Sequence, residues 1–138
     1  MKSSAVTMEW ADGEYTFNLR LGEVRKIQEV TKLGPPVILF NLQTNQWKVD
    51  EFREVILQGL LGGGMKVDEA RRLVKAWVDE RPAFESVKPA QAILMAWMVG
   101  VTPDEADEGK DEAPQTDSET ATAPTASTSE PSMEPVQP

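Results

Sequence analysis

Polar and apolar positions alternate one by one at the start of the chain and change period near residue 21, which separates a strand region from a helical one. Val6, Met8 and Trp10 alternate with Thr7 and Glu9, and Tyr15, Phe17, Leu19 and Leu21 alternate with Thr16, Asn18 and Arg20. Period two on both sides of Asp12-Gly13 predicts a β-hairpin. A two-stranded sheet is marginal in water by itself, so its apolar face needs helices to pack on.

From Gly22 onward the spacing is helical. Val24, Ile27, Val30 and Leu33 predict one helix, closed by Gly34-Pro35-Pro36, and Val37–Leu42 (VILFNL) predicts a further one or two turns. VDEFREVI at 49–56 and VDEARRLV at 67–74 echo each other: in each, an Asp (Asp50, Asp68) stands where an N-cap belongs, and a Glu (Glu51, Glu69) follows in the first turn. Shared helix-start chemistry accounts for this echo without an internal repeat. Phe52, Val55, Ile56 and Leu60 form the apolar face of the first of these helices, which runs into Gly62-Gly63-Gly64. Ala70, Leu73, Val74, Trp77 and Val78 form that of the second, which stops at Arg81-Pro82. Ser86 to Pro89 opens a last helix that is apolar on nearly all sides through Ile93, Leu94, Met95, Trp97, Met98 and Val99, a pattern that predicts burial all round or contact with another protein.

Charge sharpens the division. Of 14 Lys/Arg and 23 Asp/Glu, residues 1–100 hold 13 of each, so the whole net charge of −9 belongs to residues 101–138. That segment has no Ile, Leu, Phe, Trp or Tyr but six Pro and ten Ser/Thr. It cannot bury enough apolar surface to offset chain entropy, and the expectation is a disordered acidic tail. The fold class is therefore α+β, mainly α: one domain over 1–100, a small helical bundle packed on an N-terminal β-hairpin, then the tail at 101–138.

Composition narrows the chemistry. The chain contains neither Cys nor His, which removes disulfides, thiolate chemistry, Cys-based zinc sites, the commonest general base and any Ser-His-Asp arrangement. The expectation is that the protein is not an enzyme and needs no cofactor or metal. Gly62-Gly63-Gly64-Met65-Lys66 lacks the Gly-Lys-Ser/Thr of a phosphate-cradling loop. Adjacent carboxylates (Asp50/Glu51, Asp68/Glu69, Asp79/Glu80) have capping or solvated-face explanations. The mixed charge of the first hundred residues predicts neither nucleic acid nor membrane as a partner. The apolar run Ala92–Val101 is about half the length needed to span a bilayer, and the N-terminus carries no signal-peptide pattern. A cytoplasmic location follows. Trp10, Trp47, Trp77 and Trp97 read individually as core residues.

Gly13 within its strand pattern, Leu19-Arg20-Leu21-Gly22-Glu23, Asp50-Glu51-Phe52, Leu57-Gln58-Gly59-Leu60-Leu61-Gly62-Gly63-Gly64 and Val67-Asp68-Glu69-Ala70 carry a resemblance over about residues 5–100. The sequence resembles the phage and gene-transfer-agent tail assembly chaperones, a family also described as tail tube components. The resemblance implies a helical body with a small hairpin, no catalytic residues, and a role in keeping the tape-measure protein soluble while tube subunits assemble around it in the bacterial host. The tape-measure and tail tube proteins would be the partners. A structural tube component retained in the particle, and able to self-associate, is the alternative. A chaperone for a long amphipathic helix needs an apolar groove, and Ile93, Leu94, Met95, Trp97 and Met98 of the last helix are the candidate partner-binding residues.

Overall fold

The computed structural model describes residues 2–102. The expected disorder of the acidic tail falls outside them, apart from its first two residues. Strands β1 (Ala5–Trp10) and β2 (Gly13–Asn18) form an antiparallel hairpin in which Val6 pairs with Phe17 and Met8 with Tyr15. Val6, Met8, Trp10 and Phe17 lie on its buried face, as the alternation predicts. Trp10 meets Tyr15 and Phe17 edge-on at centroid distances of 5.7 and 5.6 Å. The positive φ of the turn is taken by Ala11 (58°), not by Gly13.

Five helices follow: α1 (Leu21–Thr31), α2 (Pro35–Gln43), α3 (Val49–Gly62), α4 (Val67–Val74) and α5 (Phe84–Val99). α4 continues into a π-helical turn, Lys75–Asp79, which the sequence period did not signal. Helix α3 is the organising element: it packs on α1, α4, α5 and β2, and every residue from Glu51 to Leu60 except Arg53 is buried. The architecture is the expected α+β arrangement dominated by helix.

Several helix ends differ from the expected ones. The N-caps are Lys48 and Lys66, so Asp50 and Asp68 sit in the first turn. At α3 the capping is done from inside the helix: the Lys48 backbone N–H donates to Glu51 Oε2 at 2.7 Å, and Asn41 Nδ2 donates to Glu51 Oε1 at 2.9 Å. Glu51 is thereby fully buried with both oxygens bonded, which meets the rule that a buried carboxylate needs partners. Glu23 repeats the device at α1, accepting from the Arg20 backbone N–H at 2.9 Å. Helix α1 is closed by Lys32 in the left-handed conformation (φ 65°), which leaves Gly34 free to be the N-cap of α2 with Pro35 and Pro36 in its first turn. On α1, Val24 and Ile27 are buried, but Val30 points out and Thr31 takes the inner position, where its hydroxyl donates to the Ile27 carbonyl at 2.7 Å. Helix α5 starts at Phe84, two residues before the expected opening, so Pro89 lies within the helix; bonds from Glu85 to Pro82 and from Ser86 to Ala83 tighten its first turn.

The triple glycine has a tertiary cause. A Cβ on Gly62 would stand 1.8 Å from the Asn18 carbonyl oxygen, and one on Gly63 would stand 2.1 Å from that of Thr16. The end of α3 therefore lies directly against the outer edge of β2, an approach only glycine permits.

Candidate interaction surface

Helix α5 carries the residues that the sequence singles out, and its burial pattern divides them. Ile93 and Leu94 are 0% exposed, packed with Val87, Ala90 and Ala96 in the core, and so are not partner-binding residues. The even apolarity of this helix hid which side faces inward. Trp97 is half-buried against the core, whereas Met95 and Met98 reach solvent at 39% and 37% exposure. Phe84, Lys88, Met95, Met98 and Val99 recur at helical spacing and form the outward stripe of the helix, which is apolar at every one of these positions but Lys88. The other tryptophans also divide: Trp10 is buried, while Trp47 and Trp77 are partly so.

Helix α2 lies beside α5, joined to it by a hydrogen bond from Gln91 Nε2 to the Leu42 carbonyl at 3.2 Å. Ile38, Leu39 and Leu42 face inward, and Val37 and Phe40 project into solvent. A depression of about 380 Å³ separates the two helices where Leu42, Gln43 and Asn45 face Phe84, Val87, Lys88 and Gln91. At its margin Phe84 is 65% exposed and stands edge-on to Trp47 at 5.8 Å, while Trp47 meets Phe52 at 5.1 Å. The Trp47 indole N–H beneath this cluster is buried and has no protein acceptor among the described residues.

Val37, Phe40, Phe84 and Val99 therefore join Met95 and Met98 as the exposed apolar members of one helical pair. Sequence reasoning missed the first three because Val37 and Phe40 lie in a run with no clear period and Phe84 precedes the expected start of α5. Two adjacent helices that each leave an apolar stripe in solvent present a docking surface for protein. Among the described residues no cluster of three or more His, Cys, Asp or Glu could hold a metal ion, and no helix is long and apolar enough to cross a membrane.

Residues 3–100 match the protein family described as "Phage tail tube protein, GTA-gp10". No curated protein and no solved structure matches the chain.

Proposed function

The chain belongs to the phage tail tube protein, GTA-gp10, family, and from that membership we propose that it is a structural, non-catalytic subunit of a phage-type tail, joined to its neighbours through the exposed stripes of α5 and α2. The observation that carries this reading is the family match across essentially the whole described domain, 98 residues from 3 to 100. The exposed Phe40, Phe84, Met95, Met98 and Val99 support it, because burying the 37–65% of each residue that remains exposed is favourable by a corresponding fraction of the roughly 1.5–3 kcal/mol gained when a wholly exposed side chain is buried. Its partners are then other tail proteins, and its place is the host cell during assembly and the virion tail afterwards.

A tape-measure chaperone, the first reading of the sequence, remains a second proposal for one reason. The described residues contain a single two-stranded sheet, and the outer edge of β2 is closed by Gly62 and Gly63, so a ring cannot grow by adding strands to that edge. Mass spectrometry of purified particles separates the two readings. The tube proposal expects the chain in stoichiometric amount beside other tail proteins. Absence from particles, together with co-purification of the chain and the tape-measure polypeptide from lysate, would replace it with the chaperone reading.

A further inference from the structure

Backbone contacts fix which way each residue of the hairpin turns its N–H and C=O. In an antiparallel pair, residues directly opposite each other either exchange both hydrogen bonds or turn both groups outward together. The carbonyls of Thr16 and Asn18 face Gly63 and Gly62 of α3, so these residues turn outward on β2, and their partners Thr7 and Ala5 turn outward on β1. Glu9, two residues beyond Thr7, keeps the same sense. An independent contact agrees: Ser3, of the same parity, exchanges its backbone bonds with Val101 on this side of β1.

The two outer edges of the hairpin differ in what meets them. That of β2 lies against α3. On β1, Ser3 is bonded to Val101 and the Ala5 N–H donates to Ser3 Oγ at 3.0 Å, whereas the outward N–H and C=O of Thr7 and of Glu9 have no partner among the described residues. Buried backbone groups are almost always bonded, so these four open to water. Glu9 is exposed, and a concavity of about 260 Å³ lies beside Glu9, Trp10 and Ala11. Two donors and two acceptors left unpaired along an edge are a template for another strand.

We propose that this edge pairs with the β1 edge of a second copy of the chain, antiparallel about a two-fold axis at Met8. Thr7 of each copy then exchanges both bonds with Glu9 of the other, and one four-stranded sheet spans the pair. The edge is its own complement, because these bonds consume every unpaired group of Thr7 and Glu9 in both copies. The contacts of the hairpin select the register. An axis at Thr7 would set Ala11 of one copy opposite Ser3 of the other, where Val101 already sits, and an axis at Val6 would set Glu9 there. An axis at Glu9 would bring the two Glu9 side chains face to face, a like-charge pair that destabilises a sheet. About Met8, Glu9 meets Thr7, and Ala11 meets Ala5 at the point where the hairpin turns away. The contact uses none of the α5 and α2 stripe residues, and it stands whether the chain is a tube subunit or a chaperone.

Amide hydrogen exchange and sedimentation of the full chain over a concentration series test this. The amides of Val6 and Met8, bonded within the hairpin, should be protected at every concentration, and those of Thr7 and Glu9 should gain protection only as dimer forms. The gain should persist in Met98→Asp, which removes association through α5. Charge tests the register: Thr7→Lys sets a Lys opposite Glu9 twice in each dimer and should tighten dimerisation about 2- to 20-fold, while Thr7→Glu should weaken it by a similar factor. Both variants keep every backbone donor and acceptor. Thr7 and Glu9 amides that exchange freely at all concentrations, or that stay unprotected in a dimer, would overturn the proposal. So would their protection at high dilution, which would mean a cover within one chain, and so would weakening by Thr7→Lys, which would mean another register.

Discussion

At the scale of single residues, Gly62 is the most exacting of the described glycines. Its α-hydrogen faces the Asn18 carbonyl where any side chain would collide with backbone. Gly62→Ala is expected to lower the melting temperature by about 10 °C or more, the equivalent of an overpacking cost near 3 kcal/mol. Gly22 provides the contrast. Nothing lies within 4 Å of a Cβ there, and Gly22→Ala should raise stability by up to about 1 kcal/mol through helix propensity. The two glycines look alike in sequence; a thermal melt of each variant tells them apart.

Glu23 adds a pH dependence at the same scale. Burial would push its carboxyl up, but the Arg20 guanidinium and the Arg20 backbone N–H outweigh burial and hold it below the ordinary value of 4.5. A carboxylate held low in the folded state stabilises the fold above its unfolded pKa, and that contribution is lost as pH falls through the folded one. Wild type should therefore melt above Glu23→Gln at neutral pH, with the gap closing once the pH drops below 4.5. A constant gap across a series of melts from neutral to acid pH would mean that the charge has no part in the junction between β2 and α1.

At the scale of elements, the hairpin and the helices were legible because each buries one face, and burial writes its period into the sequence. Val6, Met8, Trp10 and Phe17 needed only alternation to be placed. Helix boundaries were harder to read. An Asp near a helix start can be the cap or the first turn, and the observed frame at α3 is favoured by two bonds to Glu51, from the Lys48 backbone N–H and from Asn41, ten residues away in the chain. Helix α5 was the least legible, since a segment apolar all round carries no directional signal. Its two sides make opposite predictions. Leu94→Ala should destabilise by about 2–5 kcal/mol, as for a buried leucine left as a cavity. Met98→Asp should leave the thermal melt close to wild type and abolish association with other tail subunits, measured by sedimentation. Unfolding of Met98→Asp would place Met98 in the core.

For the whole molecule, the neutral domain and the acidic segment divide the work. The domain contributes the apolar α5 and α2 face, and the segment contributes all of the net charge. The outer edge of β2 is closed by Gly62 and Gly63, so no strand of another subunit can be added there. That division was open to sequence reasoning in its electrostatic half, by counting charges. The geometric half was not, because the closure depends on two carbonyl oxygens meeting two glycines some 45 residues further along the chain.

Ser3 and Val101 exchange a pair of backbone hydrogen bonds at 2.7 and 2.8 Å, which brings the two extremities of the domain side by side. Any handle or fluorophore spliced to either extremity would emerge at a single pole and mark the orientation of each subunit in an assembled particle. The same closeness makes the topology circular in effect: a short bridge from 101 to 3, with the chain reopened in the exposed loop at Asn45-Gln46, would give a permuted polypeptide that retains every strand and helix.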